Sequence, residues 1–188
     1  MDKFSIQNIS KLTSLQNEFE LEKATSVFLK LRVLAKEDKS YEPIRRHLSK
    51  LIKNYEDQYW NNEDNVSDFQ VKESDLAESL IIAEEDFYKK RKQLIKSRLK
   101  VANINQNDLA RILGHSKTYV SELINGLRPF SKEDIVIINR LFKIKFDDLI
   151  PPFIKQDKAI HIKNTLRTLS NKEIKLSIKD FDLEPILT

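Results

Sequence analysis

The sequence predicts an all-α fold. Apolar residues recur at spacings of about three and four along most of the 188 residues, which is the period of an amphipathic helix. Only two glycines, Gly114 and Gly126, are present to interrupt this pattern. Hydrophobic residues make up 40% and charged residues 33% of the chain. That composition is typical of a soluble protein with small cores and much solvated surface.

Residues 1–60 are expected to form an N-terminal helical hairpin. The first helix covers about residues 15–34. Its apolar face consists of Phe19, Val27, Leu31 and Leu34. The second helix begins near Glu42, with Pro43 in its first turn, and ends near Trp60. The residues expected to form mainly the hairpin's own core are Leu51, Ile52 and Tyr55.

An acidic linker and a connecting helix are expected over residues 61–87. Residues 61–74 are acidic, rich in Asn and Ser, and have little periodicity, which favours a linker. Ser74 is a candidate N-cap for a helix that begins at Asp75 and continues to about Val101. The pattern allows either one long helix or two helices that meet near Phe87.

Two short helices are expected on either side of Gly114. Asn105 is a candidate N-cap for the first, and Gly114 lies just past its end, where a left-handed conformation costs most residues about 1 kcal/mol or more. Ser116 is a candidate N-cap for the second helix, which Asn125 and Gly126 end. The residues expected to face the core are Leu109, Ile112, Leu113, Val120 and Leu123.

Small Ala110, in the middle of the first of these helices, would let the two helices cross closely. This arrangement predicts a helix-turn-helix, in which the second helix enters the major groove of DNA by its N-terminal residues. The opposing interpretation is two ordinary core helices joined by a capped turn. The exposed hydrogen-bonding side chains at the leading end of the second helix favour DNA binding.

The candidate DNA contacts lie at that leading end and beside it. On the second helix they are Ser116, Lys117, Thr118, Tyr119 and Ser121. Lys117 suits a guanine edge or a phosphate, and Thr118 can offer its hydroxyl or its methyl group to thymine. Gln106, at the start of the preceding helix, and Arg128, in the following loop, are candidate phosphate contacts.

Two neighbouring features are expected to serve the structure rather than DNA. His115 is interpreted as a turn residue. The run KKRK at residues 89–92 could reach flanking phosphates, but a solvated helix face is the preferred interpretation.

Charge divides the chain into two halves. Residues 1–87 carry 12 Lys and Arg against 18 Asp and Glu, whereas residues 88–188 carry 21 against 11. Residues 88–130 hold ten basic side chains against only Asp108 and Glu122, as expected of a surface that neutralises phosphates. The two halves are therefore expected to face different partners.

The stretch from Leu94 to Ile150 resembles the Xre/Cro-like helix-turn-helix domain. The segments QNDLARILG and SKTYVSELINGLRPFS match its central signature, and SKEDIVIINRLFKIKFDDLI matches its last two helices. The resemblance implies five short helices within residues 88–152, with Ser131 and Asp134 forming a capping box. A homodimer is expected, because one such domain covers only half of an operator.

The order of a hairpin containing LSKLIKNYEDQYW, a connector and a Cro-like domain with INGLRPFS is similar to the HigA class of antitoxins. This resemblance implies a transcriptional autorepressor that also neutralises a RelE/HigB-like mRNA-cleaving toxin. The acidic first half suits such a partner, because a ribonuclease that grips RNA must be basic. The connector and the residues after 152 depart from the compact family pattern, so the location of a toxin-binding surface stays open.

Residues 153–188 form a C-terminal extension after Pro151 and Pro152. A helix is expected over DKAIHIKNTLRTL, residues 157–169. Apolar and polar residues then alternate over 174–179, which fits a strand that pairs with another chain, a short helix capped by Ser170, or a disordered segment.

Several function classes are disfavoured. The chain has no cysteine and its histidines, His47, His115 and His161, are scattered, so no metal site and no cofactor are expected. No phosphate-binding glycine loop or nucleophile motif points to an enzyme. No apolar run could span a membrane and no signal peptide is evident, so a cytoplasmic location is expected.

Three hypotheses remain. The first is an antitoxin that represses its own operon. The second is a stand-alone or phage-type repressor whose N-terminal half serves dimerisation. The third is a protein-interaction module whose Cro-like domain no longer binds DNA.

Overall fold

The computed structural model describes residues 3–62, 66–154 and 156–169, and all regular structure in these ranges is helical. The α-helices of the described chain are α1 Ile6–Ile9, α2 Glu18–Glu37, α3 Glu42–Tyr59, α4 Asp68–Val101, α5 Gln106–Leu113, α6 Lys117–Ile124, α7 Lys132–Phe142 and α8 Gln156–Leu169. Two short 3-10 turns, Lys39–Tyr41 and Phe146–Asp148, follow α2 and α7. The predicted all-α class is confirmed.

The predicted hairpin corresponds to α2 and α3, which pack on each other and on the first half of α4. We call α1, α2, the turn Lys39–Tyr41, α3 and the first half of α4 the N-terminal bundle. Asn17 begins α2 by accepting a hydrogen bond from the amide of Glu20. The bundle core includes Leu51 and Tyr55, as predicted, with Ile52 partly buried against it. Burial of such side chains stabilises each helix far more than its intrinsic propensity does.

The predicted start of the connecting helix is wrong by seven residues. Helix α4 begins at Asp68, and the hydroxyl of Ser67 accepts the capping hydrogen bond from the amide of Gln70. Ser74 lies inside the helix. The first two turns of α4 lack apolar residues at helical spacing. The side-chain amide of Gln70 donates a 3.2 Å hydrogen bond to the carbonyl oxygen of Tyr59, which attaches this end of α4 to the bundle.

Helix α4 continues without a break through Phe87 and spans 34 residues. Of the two alternatives, one long helix is therefore correct. Its first half buries Ala77 and Ile81, and its last turns bury Ile95 and Leu99 in a second core. A single rigid element thus belongs to both parts of the molecule.

The second core belongs to what we call the α5–α7 domain, which comprises the last turns of α4, helices α5, α6 and α7, and the turn Phe146–Asp148. Its most buried side chains are Ile95, Leu109, Val120, Leu123, Ile138 and Leu149. The first of the five expected helices is not separate but is the end of α4, and the fifth is only a 3-10 turn.

Helix α8 confirms the helix predicted after the two prolines, and it buries Ala159 and Leu166. The alternating segment 174–179 lies outside the described residues. Among the described helices, none combines the length and the hydrophobicity that crossing a bilayer requires.

Candidate nucleic-acid interface

The turn between α5 and α6 has the geometry that the sequence predicts. Gly114 adopts φ 70° and ψ 25°, a left-handed conformation, and the amide of His115 bonds back to the carbonyl oxygen of Ala110 at 2.9 Å. Ser116 then caps α6 by accepting a hydrogen bond from the amide of Tyr119 at 3.1 Å. The chain therefore changes direction sharply and begins α6 at a fixed point.

Both ends of α5 are fixed as well. Asn105 and Asp108 form a capping box, because each side chain accepts a hydrogen bond from the other residue's amide. Ala110 is 3% exposed and lies in the core that α5 shares with α6. Helices α5 and α6 thus pack on each other with the small Ala110 in their shared core, as the sequence predicts.

Ile112 was expected to face the core, and this prediction is wrong because its side chain is 47% exposed. The buried face of α5 consists of Leu109, Ala110 and Leu113. At about 100° per residue, Ile112 lies roughly a quarter turn away from the centre of that face. The side of α5 on which Ile112 lies is left exposed to solvent.

The predicted contact residues do not share one environment. Lys117 and Thr118 are exposed, and Ser116 is exposed although its hydroxyl serves as the cap. Gln106 is half-buried at the first position of α5. Ser121 is half-buried, and its carbonyl oxygen accepts a hydrogen bond from the amide side chain of Asn125. The solvent-directed end of α6 is therefore formed by residues 116–118.

Tyr119 is only half-exposed, contrary to its place in the predicted exposed set. Its ring packs against the core. The ring centroids of Tyr119 and His115 are 4.7 Å apart, and the guanidinium of Arg128 lies 5.0 Å from the centre of the Tyr119 ring. His115 in turn bonds to Asp134 at 2.9 Å, which ties the turn to the first turn of α7. His115 thus acts as a turn residue with a partner that its position in the sequence does not reveal.

Arg128 has a partner that the sequence did not predict. Its Nε donates to the carboxylate of Glu122, which is 5% exposed, and the Arg128 side chain is itself only 18% exposed. A buried carboxylate needs a cation or hydrogen-bond donors to offset its lost hydration. Arg128 therefore pairs with Glu122 through its Nε, and a phosphate contact by its other N–H groups stays a prediction.

The run KKRK is also different from the solvated face that was expected, because Arg91 is 1% exposed. Its guanidinium donates to the carbonyl oxygens of Leu123 and Leu149, each at 3.2 Å, and lies 4.8 Å from the ring of Phe130. Burial lowers the pKa of Arg91 to about 10. Arg91 thus attaches α4 to the end of α6, and no pattern in the sequence distinguishes it from its exposed neighbours.

The side chain of Ser131 caps α7, and Asp134 completes the predicted capping box by accepting from the amide of Ser131 at 3.0 Å. Within the described ranges, no group of three or more His, Asp or Glu side chains is arranged to hold a metal ion. The arrangement is that of a rigid turn that presents the first residues of α6 to solvent.

Comparison with known proteins agrees with this geometry. Residues 95–149 match the family model described as helix-turn-helix, within one residue of the Leu94 to Ile150 segment expected from the sequence. No curated protein and no solved structure matches the chain significantly. Residues 95–149 are therefore similar to helix-turn-helix domains, which suggests that the chain regulates transcription by binding DNA.

Proposed function

We propose that this chain is a transcriptional repressor that binds operator DNA by placing α6 in the major groove. The observation that carries the proposal is the exposed end of α6 at residues 116–118, held by a capped turn. Lys117 would contact a guanine edge or a phosphate, and Thr118 a thymine. Gln106 would contact a phosphate at the N-terminus of α5.

The electrostatics support this role. Of the two acidic side chains among residues 88–130, Asp108 is used in a helix cap and Glu122 is buried against Arg128. Exposed cations in this part of the chain include Lys96, Arg98, Lys100, Arg111 and Lys117. Residues 88–130 thus keep a large excess of positive charge after this pairing, which would attract a phosphate backbone.

A homodimer is part of the proposal. One α5–α7 domain can cover a single half-site, and two copies related by a two-fold axis would cover an operator with inverted repeats about one helical turn apart. The ratio of chains to duplex in the complex tests this directly, since a dimer predicts two chains on each operator.

The first experiment selects the preferred duplex from a randomised pool and measures its affinity and salt dependence. The double variant Lys117→Ala, Thr118→Ala should lose preference for the selected duplex over random DNA by roughly 30-fold or more, because each of two good base contacts discriminates by about 1–3 kcal/mol. The slope of log affinity against log salt should fall by about one if Lys117 contacts a phosphate.

The matched control is Lys53→Ala, Asn54→Ala, which removes an adjacent exposed lysine and polar residue from α3. This control should bind as the unaltered chain does. If the double variant on α6 still prefers the selected duplex, α6 does not make the base contacts. If the unaltered chain does not bind duplex DNA at any salt concentration, the repressor proposal itself fails.

A second role is proposed for the N-terminal bundle, namely that it binds a basic protein partner. A groove between α2, α3 and α4 is lined by Glu22, Glu56, Asp57, Trp60 and Ser74. Partial burial raises the pKa of Glu22, and so do the neighbouring carboxylates of Glu78, Glu18 and Glu56. A cation supplied by a partner would relieve the repulsion between these carboxylates and so favour binding of a basic protein.

Apolar surface adjoins this acidic groove, and its residues include Phe19, Leu76 and Leu80. A surface of mixed acidic and apolar character suits a basic protein. Together with the resemblance to the HigA class, it favours a RelE/HigB-like toxin as the partner. On this proposal the chain is the antitoxin of a type II pair; without such a partner it is a stand-alone repressor.

Coexpression with the neighbouring gene, followed by purification through a tag on this chain, tests the second role. A small basic protein should copurify in a stoichiometric amount, and Glu22→Lys with Glu56→Lys should release it. The control is Asp147→Lys, which makes the same kind of change on the exposed part of the α5–α7 domain. A chain that purifies alone and still binds its operator would support the stand-alone repressor.

A further inference from the structure

The inner side of α6 is held by residues from outside the α5–α7 domain. The hydroxyl of Tyr41 donates a 2.8 Å hydrogen bond to Glu122, and the two residues are 81 positions apart. Each is 5% exposed. Tyr41 belongs to the 3-10 turn between α2 and α3, so this bond joins the N-terminal bundle to the recognition helix.

The chain just after α6 is held from the same side. Leu127 is buried in the core of the N-terminal bundle and not in the core of its own domain. Gly126 lies so close to α4 that an added Cβ would be 2.8 Å from the ring of Tyr88. The ammonium of Lys92 donates to the side chain of Asn125 at 2.6 Å. The C-terminal end of α6 thus has little freedom to move relative to α4 and the bundle.

A continuous set of contacts extends from this end to the exposed end of α6. Glu122 accepts from Tyr41 with one carboxylate oxygen and from Arg128 with the other. The guanidinium of Arg128 lies 5.0 Å from the ring of Tyr119, in the first turn of α6 next to Thr118. Because α6 has only eight residues, about two turns, a change in orientation at one end moves both.

We infer that Tyr41 is a positioning residue for DNA recognition, which fixes the orientation of α6 through Glu122, Arg128 and Tyr119. It would not touch DNA itself. The inference rests on the proposed function, since it assigns to the N-terminal bundle a part in how the operator is bound. The bundle is then required for operator affinity even though its own charge is acidic.

The test compares two tyrosines in equivalent surroundings. Tyr41→Phe removes the hydroxyl that binds Glu122. Tyr55→Phe removes a hydroxyl that donates to the buried carboxylate of Glu18 at 3.0 Å, within the bundle and away from α6. Both tyrosines are buried to a similar degree, and both variants lose one charge-assisted hydrogen bond. They should therefore have similar effects on the midpoint of unfolding.

DNA binding should separate them. Tyr41→Phe is expected to weaken binding to the selected duplex roughly tenfold. A tenfold change corresponds to about 1.4 kcal/mol, which is of the order that a hydrogen bond to a carboxylate contributes. Tyr55→Phe should leave the affinity unchanged. No loss of affinity in Tyr41→Phe, or an equal loss in both variants, would overturn the inference while the repressor proposal stands.

A second measurement does not depend on DNA. The backbone amide resonances of residues 117–121 should shift in Tyr41→Phe and stay in place in Tyr55→Phe. If the unaltered chain binds no duplex, the proposed function fails, and these resonances still decide whether Tyr41 positions α6. Unshifted resonances in Tyr41→Phe would reject the positioning role.

The variant Glu122→Gln completes the set, because it keeps an acceptor for Tyr41 but removes the charge that pairs with Arg128. Adding Tyr41→Phe to Glu122→Gln should weaken operator binding by less than Tyr41→Phe does alone, since both changes act through the same carboxylate. Fully additive losses would mean that Tyr41 acts by another route.

Discussion

Gly114 and Gly126 look equivalent in sequence but have different surroundings. Both adopt a positive φ, 70° and 72°. A Cβ added at Gly114 would meet no atom within 4 Å, whereas one added at Gly126 would meet the ring of Tyr88 at 2.8 Å. Gly114 is thus required by backbone conformation alone, and Gly126 also by the close approach of α4.

The two alanine variants should therefore differ in stability. Gly114→Ala is expected to lower the free energy of unfolding by about 1 kcal/mol, the usual cost of a left-handed alanine. Gly126→Ala should cost at least about 1 kcal/mol more, because the ring of Tyr88 must move. Urea unfolding of both variants measures the difference. Equal losses would mean that the ring of Tyr88 yields freely.

Glu22 gives a prediction about pH. Its folded pKa is raised, chiefly by burial and then by nearby carboxylates, so the folded chain holds this proton more tightly than the unfolded chain does. Stability from this group is present below its unfolded pKa and is lost as pH rises through the folded pKa. Glu22→Gln should therefore stabilise the chain at pH 7, and the gain should disappear near about pH 4.

Thermal unfolding of both chains across this range of pH checks the expectation. A gain that is equal at both ends of the range would show that repulsion at Glu22 does not oppose folding.

Among the elements, α4 differs most from what the sequence predicts. Ser67 and Ser74 are both serines in acidic surroundings, and either could cap a helix by local rules. The structure uses Ser67, because starting the helix there brings Gln70 to the carbonyl oxygen of Tyr59 and to Glu18. Packing against the N-terminal bundle therefore decides that α4 begins after Ser67 and not after Ser74.

Alanine at each serine should have effects of opposite sign. Ser67→Ala removes the cap and is expected to destabilise the chain by about 1 kcal/mol. Ser74→Ala replaces a helix-interior serine with the best helix former and should stabilise by a few tenths of a kcal/mol. The midpoints of thermal unfolding distinguish them. A larger loss from Ser74→Ala would mean that the helix begins later.

For the whole molecule, the two cores are physically joined. Leu127 enters the core of the N-terminal bundle, and the single helix α4 contributes to both parts. Arg91 connects α4 to the carbonyl oxygens of Leu123 and Leu149. A boundary near residue 87 therefore falls inside a rigid helix, and we expect the two parts to depend on each other.

Unfolding should accordingly be a single transition. Trp60 is the one tryptophan of the chain and lies against the bundle core, so its fluorescence reports on the bundle. Far-UV circular dichroism reports on all helices. The two signals should give the same urea midpoint. A second step in circular dichroism that fluorescence does not detect would mean that the α5–α7 domain unfolds on its own.

Local rules were sufficient for the helix-turn-helix. The caps at Asn105, Ser116 and Ser131 and the left-handed Gly114 depend on hydrogen bonds between residues two to five positions apart. Such contacts can be predicted from sequence because the chain itself brings the partners together. The family model accordingly matches residues 95–149, almost the same segment, Leu94 to Ile150, that the sequence pattern predicts.

The tertiary structure alone decided the roles of the charged residues. Arg91 and Arg128 have the same local signature as exposed cations, yet one is buried under α6 and the other pairs with Glu122. Tyr41 meets Glu122 across 81 positions, a separation over which sequence periodicity carries no information. The sequence by itself therefore determined which helices form and how they are capped. Burial against distant segments decided which side chains stay exposed at the start of α6 and which contact α6 from the inside.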